Sequence, residues 1–271
     1  MLRFVPAGRS HRGLVRRNNE DAGFIGCTCL VVADGVGGSP AGEVASATAA
    51  HVVSSNARQR VGLRPVSVLR GAVQSAHLAI SEGVARRPDW EGMATTLTAV
   101  LTDGQRVGLV HVGDSRAYLF REGNLRQLTN DHTWAGELLA LGDLTAEEAR
   151  HHPYRNVVVR SLHGDSDEAG DLIDLRLRPG DRLLLTTDGV TDLVDDEMLT
   201  TVLDRTDDDE VAVAAIEAAA LRLGGRDNIT VVVATVAEAS RSGSQAGTPL
   251  GAACDRLNIL DVDDRSWGAL A

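Results

Sequence analysis

Two segments of this chain run into the same tripeptide. The apolar run 29–33 leads into Asp34-Gly35-Val36-Gly37-Gly38, and the run 182–187 leads into Asp188-Gly189-Val190. A short apolar run bounded by turn residues reads as a buried strand, so each aspartate leaves a strand end through a glycine turn. Glycine permits positive φ and close backbone approach, so such a turn can offer a carboxylate and a main-chain carbonyl to one cation. Three more carboxylates fall at strand edges: Glu20 ahead of the strand-like stretch 23–33, Asp114 in the turn Gly113-Asp114-Ser115, and Asp227 just before the last strand, 229–236. Each alone is accounted for by a solvated turn. Together they are a common way to build an oxygen-rich metal site. Two carboxylates about 4 Å apart repel by ~4 kcal/mol at an effective dielectric of about 20, so four or five converge only with divalent cations or raised pKa values. Oxygen-only ligation selects hard ions, Mg²⁺ or Mn²⁺, over zinc.

The elements that must position these groups follow from periodicity. Residues 41–56 and 66–84 carry apolar stripes at helical spacing, and Ser39-Pro40 supplies an N-cap and first helical position for the first of them. Short runs at 95–101, 106–111, 116–121 and 125–128, separated by Asp103-Gly104 and Gly123-Asn124, read as an antiparallel meander. Residues 130–150 mix short helical patches and, with the stretch that leads on through 157–162, read as a polar surface excursion. Strands return at 172–177 and 182–187, with a helix near 208–223 before the last strand. Beyond residue 237 the composition shifts to Ser, Gly, Ala and Thr. The expected division is a domain over 1–237 and, over 238–271, a flexible linker with a disordered tail, or a short docking peptide within it.

Composition excludes several classes. At 271 residues, 43% hydrophobic and 24% charged, the chain has the balance of a soluble globular protein. Aromatics are only 3%, so the core must be built from Val, Leu, Ile and Ala. The formal charge of −11 repels nucleic acid and anionic membranes, and no arginine run is dense enough to override it. No stretch approaches a membrane span, and residues 1–13 lack a signal-peptide core, which places the chain in the cytoplasm. Cys27, Cys29 and Cys254 suit reduced thiols better than a disulfide framework or zinc site.

Taken in order, the motifs resemble the metal-dependent protein phosphatases, the protein phosphatase 2C family, in their compact bacterial form. Residues 16–21 match R-x-x-N-E-D, 34–38 D-G-x-G-G, 92–98 G-x-x-T-T-x-T, and 113–117 G-D-S-R-A. Residues 128–133 match L-T-x-D-H-S/T, 152–164 the H-P-x-R-N segment ending in L-x-G, 187–192 S/T-D-G-x-x-D, and 224–230 G-x-x-D-N-x-T. The resemblance spans about residues 8–236. It implies an α+β fold, a four-layer α/β/β/α sandwich of two central antiparallel sheets flanked by helices. It implies a monomeric serine/threonine phosphatase whose partners are phosphorylated proteins, Ser/Thr kinases and their substrates among them.

Roles come with the resemblance. Asp34 would bridge two Mn²⁺ or Mg²⁺ ions, with Glu20 and the Gly35 carbonyl on one and Asp188 and Asp227 on the other. Asp21 would support them from outside the ligand set, and Asp114 with Asp188 would hold a third, weaker ion. Arg16 would grip the substrate phosphate through its planar fork. Two ions sharing a water would generate a hydroxide that attacks phosphorus in line, without a covalent intermediate. One departure is Val36, where many eukaryotic members carry a histidine proposed as general acid. The leaving-group acid is left to metal-held water, with His132 and His152 as weaker candidates beside the variable flap 133–150.

Three other readings meet specific objections. Phosphatases of partner-switching sigma-factor pathways usually carry a sensor domain and depart from motifs that are intact here. A pseudophosphatase that only binds phosphoprotein typically loses metal carboxylates, all present here. A two-metal nuclease would want a surface less acidic than this one.

Overall fold

Valine, leucine and alanine fill the strand segments with little polar interruption, which in a sheet means that both faces are covered. The computed structural model describes residues 1–59, 63–164, 169–239 and 247–260. The chain begins β1 (Leu2–His11), β2 (Asp21–Gly26), β3 (Cys29–Asp34), α1 (Gly42–Gln59) and α2 (Pro65–Arg86). It continues β4 (Ala94–Thr95), β5 (Leu97–Thr102), β6 (Val107–Val112), β7 (Arg116–Arg121), β8 (Asn124–Gln127), α3 (Trp134–Leu141) and α4 (Ala146–His151). The remainder is β9 (Leu162–His163), β10 (Asp171–Leu175), β11 (Arg182–Thr186), α5 (Asp188–Thr191), α6 (Asp196–Arg205), α7 (Asp209–Arg222), β12 (Ile229–Glu238) and β13 (Gly247–Gly251).

One sheet has the order β1-β12-β11-β7-β8, the other β10-β6-β5-β3-β2-β13, and β4 pairs with β9. These pairings are antiparallel. Alternation along each strand decides which layer a side chain fills. In β3, Leu30 and Val32 lie between the sheets while Val31 packs with Leu69, Val73 and Ile80 of α2. In β11, Leu183 and Leu185 lie between the sheets, and Leu184 meets Leu199 and Leu203 of α6 and Ile216 of α7. The result is the expected α/β/β/α sandwich, with α1 and α2 on one outer face and α6 and α7 on the other.

Several expectations need correction. The stretch 23–33 is two strands, because residues 27–28 turn between β2 and β3. Residues 157–162, read as part of the surface excursion, contribute an isolated bridge, Val158 to Thr133, and the start of β9. Helix α6 was not anticipated, although Asp195 caps it by accepting from the Met198 N–H at 2.8 Å. Helix α1 begins at Gly42 and not at Pro40. Its first carbonyl comes from Ala41, which stands at φ 51°, a left-handed conformation unusual for alanine.

The largest correction concerns the tail. Residues 247–251 form β13 and pair with β2, while Ala252 and Ala253 are buried and Ile259 and Leu260 pack on the α1/α2 core. A bare β2 edge would leave backbone groups unpaired, and β13 satisfies them. Its Gly-Thr-Pro-Leu-Gly composition hid the strand. The rest of the linker and tail expected over 238–271 lies largely outside the described residues.

Leu185 is fully buried between the sheets. Leu185→Ala should lower unfolding free energy by about 2–5 kcal/mol, read from chemical denaturation with an unchanged slope.

Candidate active site

Antiparallel pairing brings the acidic strand ends to one end of the sandwich. Asp21 starts β2 directly opposite Asp34 at the end of β3. Asp188 follows β11 and Asp227 precedes β12, two strands paired at Thr186 and Val231. Asp114 lies between β6 and β7, where the chain passes from one sheet to the other. Arg16, Glu20, Asp34, Gly35, Asp114, Asp188 and Asp227 all line one cleft of about 400 Å³. The expected phosphate-gripping arginine and the expected metal ligands thus lie together, while Asp21, expected to support them, stands just outside the lining.

The backbone holds these groups tightly. The Asp34 N–H donates to Thr96 Oγ1 at 3.0 Å, and the Asp34 carbonyl accepts from the Thr96 N–H at 2.8 Å and from Thr95 Oγ1 at 2.8 Å. The Gly35 N–H donates to the Glu20 carbonyl at 3.1 Å. A Cβ on Gly35 would stand 2.5 Å from the Gly42 backbone, so only glycine lets the 34–38 turn and the start of α1 meet. That contact accounts for the late start of α1. A Cβ on Gly189 would similarly collide with the Asn228 carbonyl, so the Asp188 and Asp227 segments touch through glycine. Asn228 is a functional residue the sequence reading left without a role. Its Oδ1 accepts from the Glu20 N–H at 2.7 Å, and its Nδ2 donates to the Arg12 and Asn18 carbonyls, each at 2.9 Å. The D-N-x-T spacing was the available signal.

Electrostatics show what the cleft lacks on its own. Burial, then Asp21, Asp188 and Asp114, push the Asp34 carboxyl well above the usual carboxylate range. Burial, then Asp188, Asp131 and Asp192, do the same to Asp114. Burial, with Asp192 and Asp227, raises Asp188 to about 6, and burial raises Asp21 to about 7 against the bonds it accepts from Thr230 and Thr187. Asp188 Oδ1 and Asp21 Oδ1 are buried without a hydrogen-bond partner. Unpaired buried carboxylate oxygens in an all-oxygen set fit hard divalent cations.

The ligand set is nevertheless not closed. Among the described residues, no three His, Cys, Asp or Glu side chains are gathered tightly enough to hold an ion as they stand. One cause is visible: Arg16 Nη2 donates to Asp227 Oδ2 at 2.7 Å and occupies a carboxylate expected to face a metal. Of the weaker acid candidates, neither His132 nor His152 lines the cleft. His132 is buried, with Nδ1 accepting from the Gly113 N–H at 3.1 Å and its own N–H donating to the Gly113 carbonyl at 2.7 Å. It grips the turn that carries Asp114.

Because Asp21 and Asp188 hold protons more tightly folded than unfolded, their contribution to stability is full below the unfolded carboxylate pKa of about 4 and is lost as pH rises through about 6 and 7. Metal-free protein should lose melting temperature between about pH 5 and pH 8, and Mn²⁺ should restore more of it at the higher pH, as thermal melts with and without chelator would show.

Comparison with known proteins agrees with this geometry. The protein phosphatase 2C family model matches residues 7–219. The serine/threonine protein phosphatase PstP of Mycobacterium tuberculosis is 46% identical over 232 residues, which cover 86% of this chain and 45% of that protein. The chain thus spans less than half the length of that relative. The serine/threonine phosphatase stp of Listeria monocytogenes is 34% identical over 236 residues, covering 83% of this chain and 93% of that one. The crystal structure of M. tuberculosis PstP/Ppp superposes with TM-score 0.83 at 43% identity, over 87% of this chain and 100% of that one. A structure of the PstP catalytic domain in complex with two manganese ions gives TM-score 0.81 at 42% identity, over 88% and 100%. With the motifs in order, the sandwich in place and the carboxylates in one cleft, the chain belongs to the protein phosphatase 2C family.

Proposed function

We propose that this chain is a metal-dependent serine/threonine protein phosphatase that hydrolyses phosphoserine and phosphothreonine and opposes Ser/Thr kinases. The observation that carries this reading is the convergence of Glu20, Asp34, Asp114, Asp188 and Asp227 on one cleft beside Arg16. The names of the relatives and the manganese complex of one of them support it.

In this reading Glu20, Asp34, the Gly35 carbonyl, Asp188 and Asp227 would hold two ions, Mn²⁺ or Mg²⁺, with Asp34 shared between them, Glu20 and Gly35 serving one and Asp188 and Asp227 the other. Asp114 with Asp188 serves a third. When bound, the ions supply Lewis acidity, cancelling the carboxylate charge and polarising both water and phosphoryl oxygens. With Asp227 engaged as a ligand, the Arg16 guanidinium is free to turn to the substrate phosphate and hold two of its oxygens. Thr96 carries the only hydroxyl among the described residues lining the cleft, and its Oγ1 is bonded to the Asp34 N–H and to Ser115 Oγ. No free hydroxyl is therefore placed to attack phosphorus, and in this reading the carboxylates are taken up as ion ligands, which favours direct attack by water without a covalent intermediate. Val36 has no proton to give, so a second water would supply the proton taken up by the leaving Ser or Thr oxygen. The charge of −11 continues to disfavour a nucleic-acid substrate.

Phosphate release from a phosphothreonine peptide tests the reading. It should require Mn²⁺ or Mg²⁺, stop with chelator, and be abolished in Asp34→Ala and in Asp188→Ala while the fold persists by circular dichroism. Turnover preserved in either variant would overturn the assignment. Arg16→Ala should lower kcat/KM by roughly tenfold to a hundredfold, the equivalent of about 1.5–3 kcal/mol for lost hydrogen bonds to a charged group.

A further inference from the structure

The segment 247–260 lies beyond the residues matched by the family model, yet it is built into the body of the sandwich. Leu250 sits against Gly8 and Gly23, where a Cβ on Gly8 would come within 2.8 Å of Leu250 Cδ1. Leu260 sits against Gly83 of α2, where a Cβ would come within 2.6 Å of its Cδ1. The Leu260 N–H donates to Thr48 Oγ1 of α1 at 3.0 Å, and Asn258 Nδ2 donates back to the Ala252 carbonyl at 3.1 Å. Small residues in β1, β2 and α2 thus leave room for the two leucines that anchor the segment.

Between those anchors the segment reaches the site. Gly251 stands at φ 59°, and a Cβ there would lie 2.2 Å from the Asp21 carbonyl and 2.6 Å from Ser10 Oγ. Ser10 Oγ in turn bonds Thr230 Oγ1 at 2.8 Å and accepts from Asn19 Nδ2 at 2.9 Å. Thr230 Oγ1 donates to Asp21 Oδ2 at 2.7 Å, and Thr187 Oγ1 donates to the same oxygen at 2.8 Å. Asp21 faces Asp34 across the β2–β3 pair. Contact therefore runs without a gap from Gly251 to both the backbone and the carboxylate of Asp21, and from there to the metal-binding strand end.

We propose that residues 247–260 are a strap that positions Asp21, and through it the metal-binding carboxylates, with Gly251 as the positioning residue. The inference rests on the two-metal reading above. A strap that only added stability would leave ion binding unchanged; one that positions the site makes its seating a condition of metal affinity, because supporting groups outside a ligand set are typically worth roughly tenfold to a hundredfold in metal affinity.

Calorimetric titration of the full chain with Mn²⁺ tests this, with Gly251→Ala for the local contact and the pair Leu250→Asp, Leu260→Asp to unseat the strap. Hydrogen exchange at residues 247–251 verifies that the double variant releases β13, and circular dichroism verifies the fold. The expected result is at least a roughly tenfold rise in the Mn²⁺ concentration for half-saturation in both variants. If Gly251→Ala fails to fold, the double variant decides, since its changes lie within the strap. Wild-type affinity in a folded variant with β13 released would overturn the proposal. Failure of the wild-type chain to bind Mn²⁺ would instead overturn the two-metal reading.

Discussion

Five carboxyl groups, from Glu20, Asp34, Asp114, Asp188 and Asp227, share one cleft, and everything around them must oppose their mutual repulsion. In a partly buried setting that repulsion is weakly screened, so flexible side chains on flexible loops would splay apart. The fold answers with geometry: four of the five stand where a strand ends or a strand-to-strand turn passes, and the fifth, Glu20, is tied to Asn228 and Gly35 through its backbone. The core between the sheets, from Leu30 to Val232, provides the rigidity against which the charges are held.

The site divides into parts that are held from several sides and one that is held by a single exposed ion pair. Asp34 is held through its backbone on both sides by Thr95 and Thr96, and the Asp114 turn is gripped by buried His132, whose Nε2 pairs with Asp171 Oδ2 at 3.2 Å. Arg16 is different. Its side chain is about 43% exposed, on a loop beside exposed Leu14 and Val15, and its one strong bond is to Asp227. An exposed ion pair of this kind is weakly held, so Asp227 can exchange a guanidinium for a cation at little cost.

Asp34 and Asp188 were legible because each sits at a break between an apolar run and a glycine turn, while Glu20, Asp114 and Asp227 drew notice at strand edges and took their roles from the ordered family motifs. The sandwich followed from runs such as 29–33 and 182–187, whose lack of polar alternation required cover on both faces. What was not legible depended on distant partners. Asn228 bonds to residues 12, 18 and 20, more than 200 positions earlier, and its D-N-x-T motif does not say which residues it ties. β13 has the composition of a linker and becomes a strand only because β2 offers an open edge. Ala41 at positive φ follows from the Gly35–Gly42 contact, a tertiary demand that overrode the Ser39-Pro40 signal.

The pairing of β1 with β12 also bears on how the molecule comes to exist. Leu2 is matched with Glu238 and His11 with Ile229 in a ten-pair ladder, so the first strand waits for β12, more than 200 residues on, before it has a neighbour in its own sheet. Contacts this distant in sequence carry a large closure entropy and slow folding. On a ribosome, residues 20 and 34 emerge long before 188 and 227. The nascent chain therefore lacks the full acidic set for most of its synthesis, and the cleft that gathers it closes only late, once β12 has joined β1.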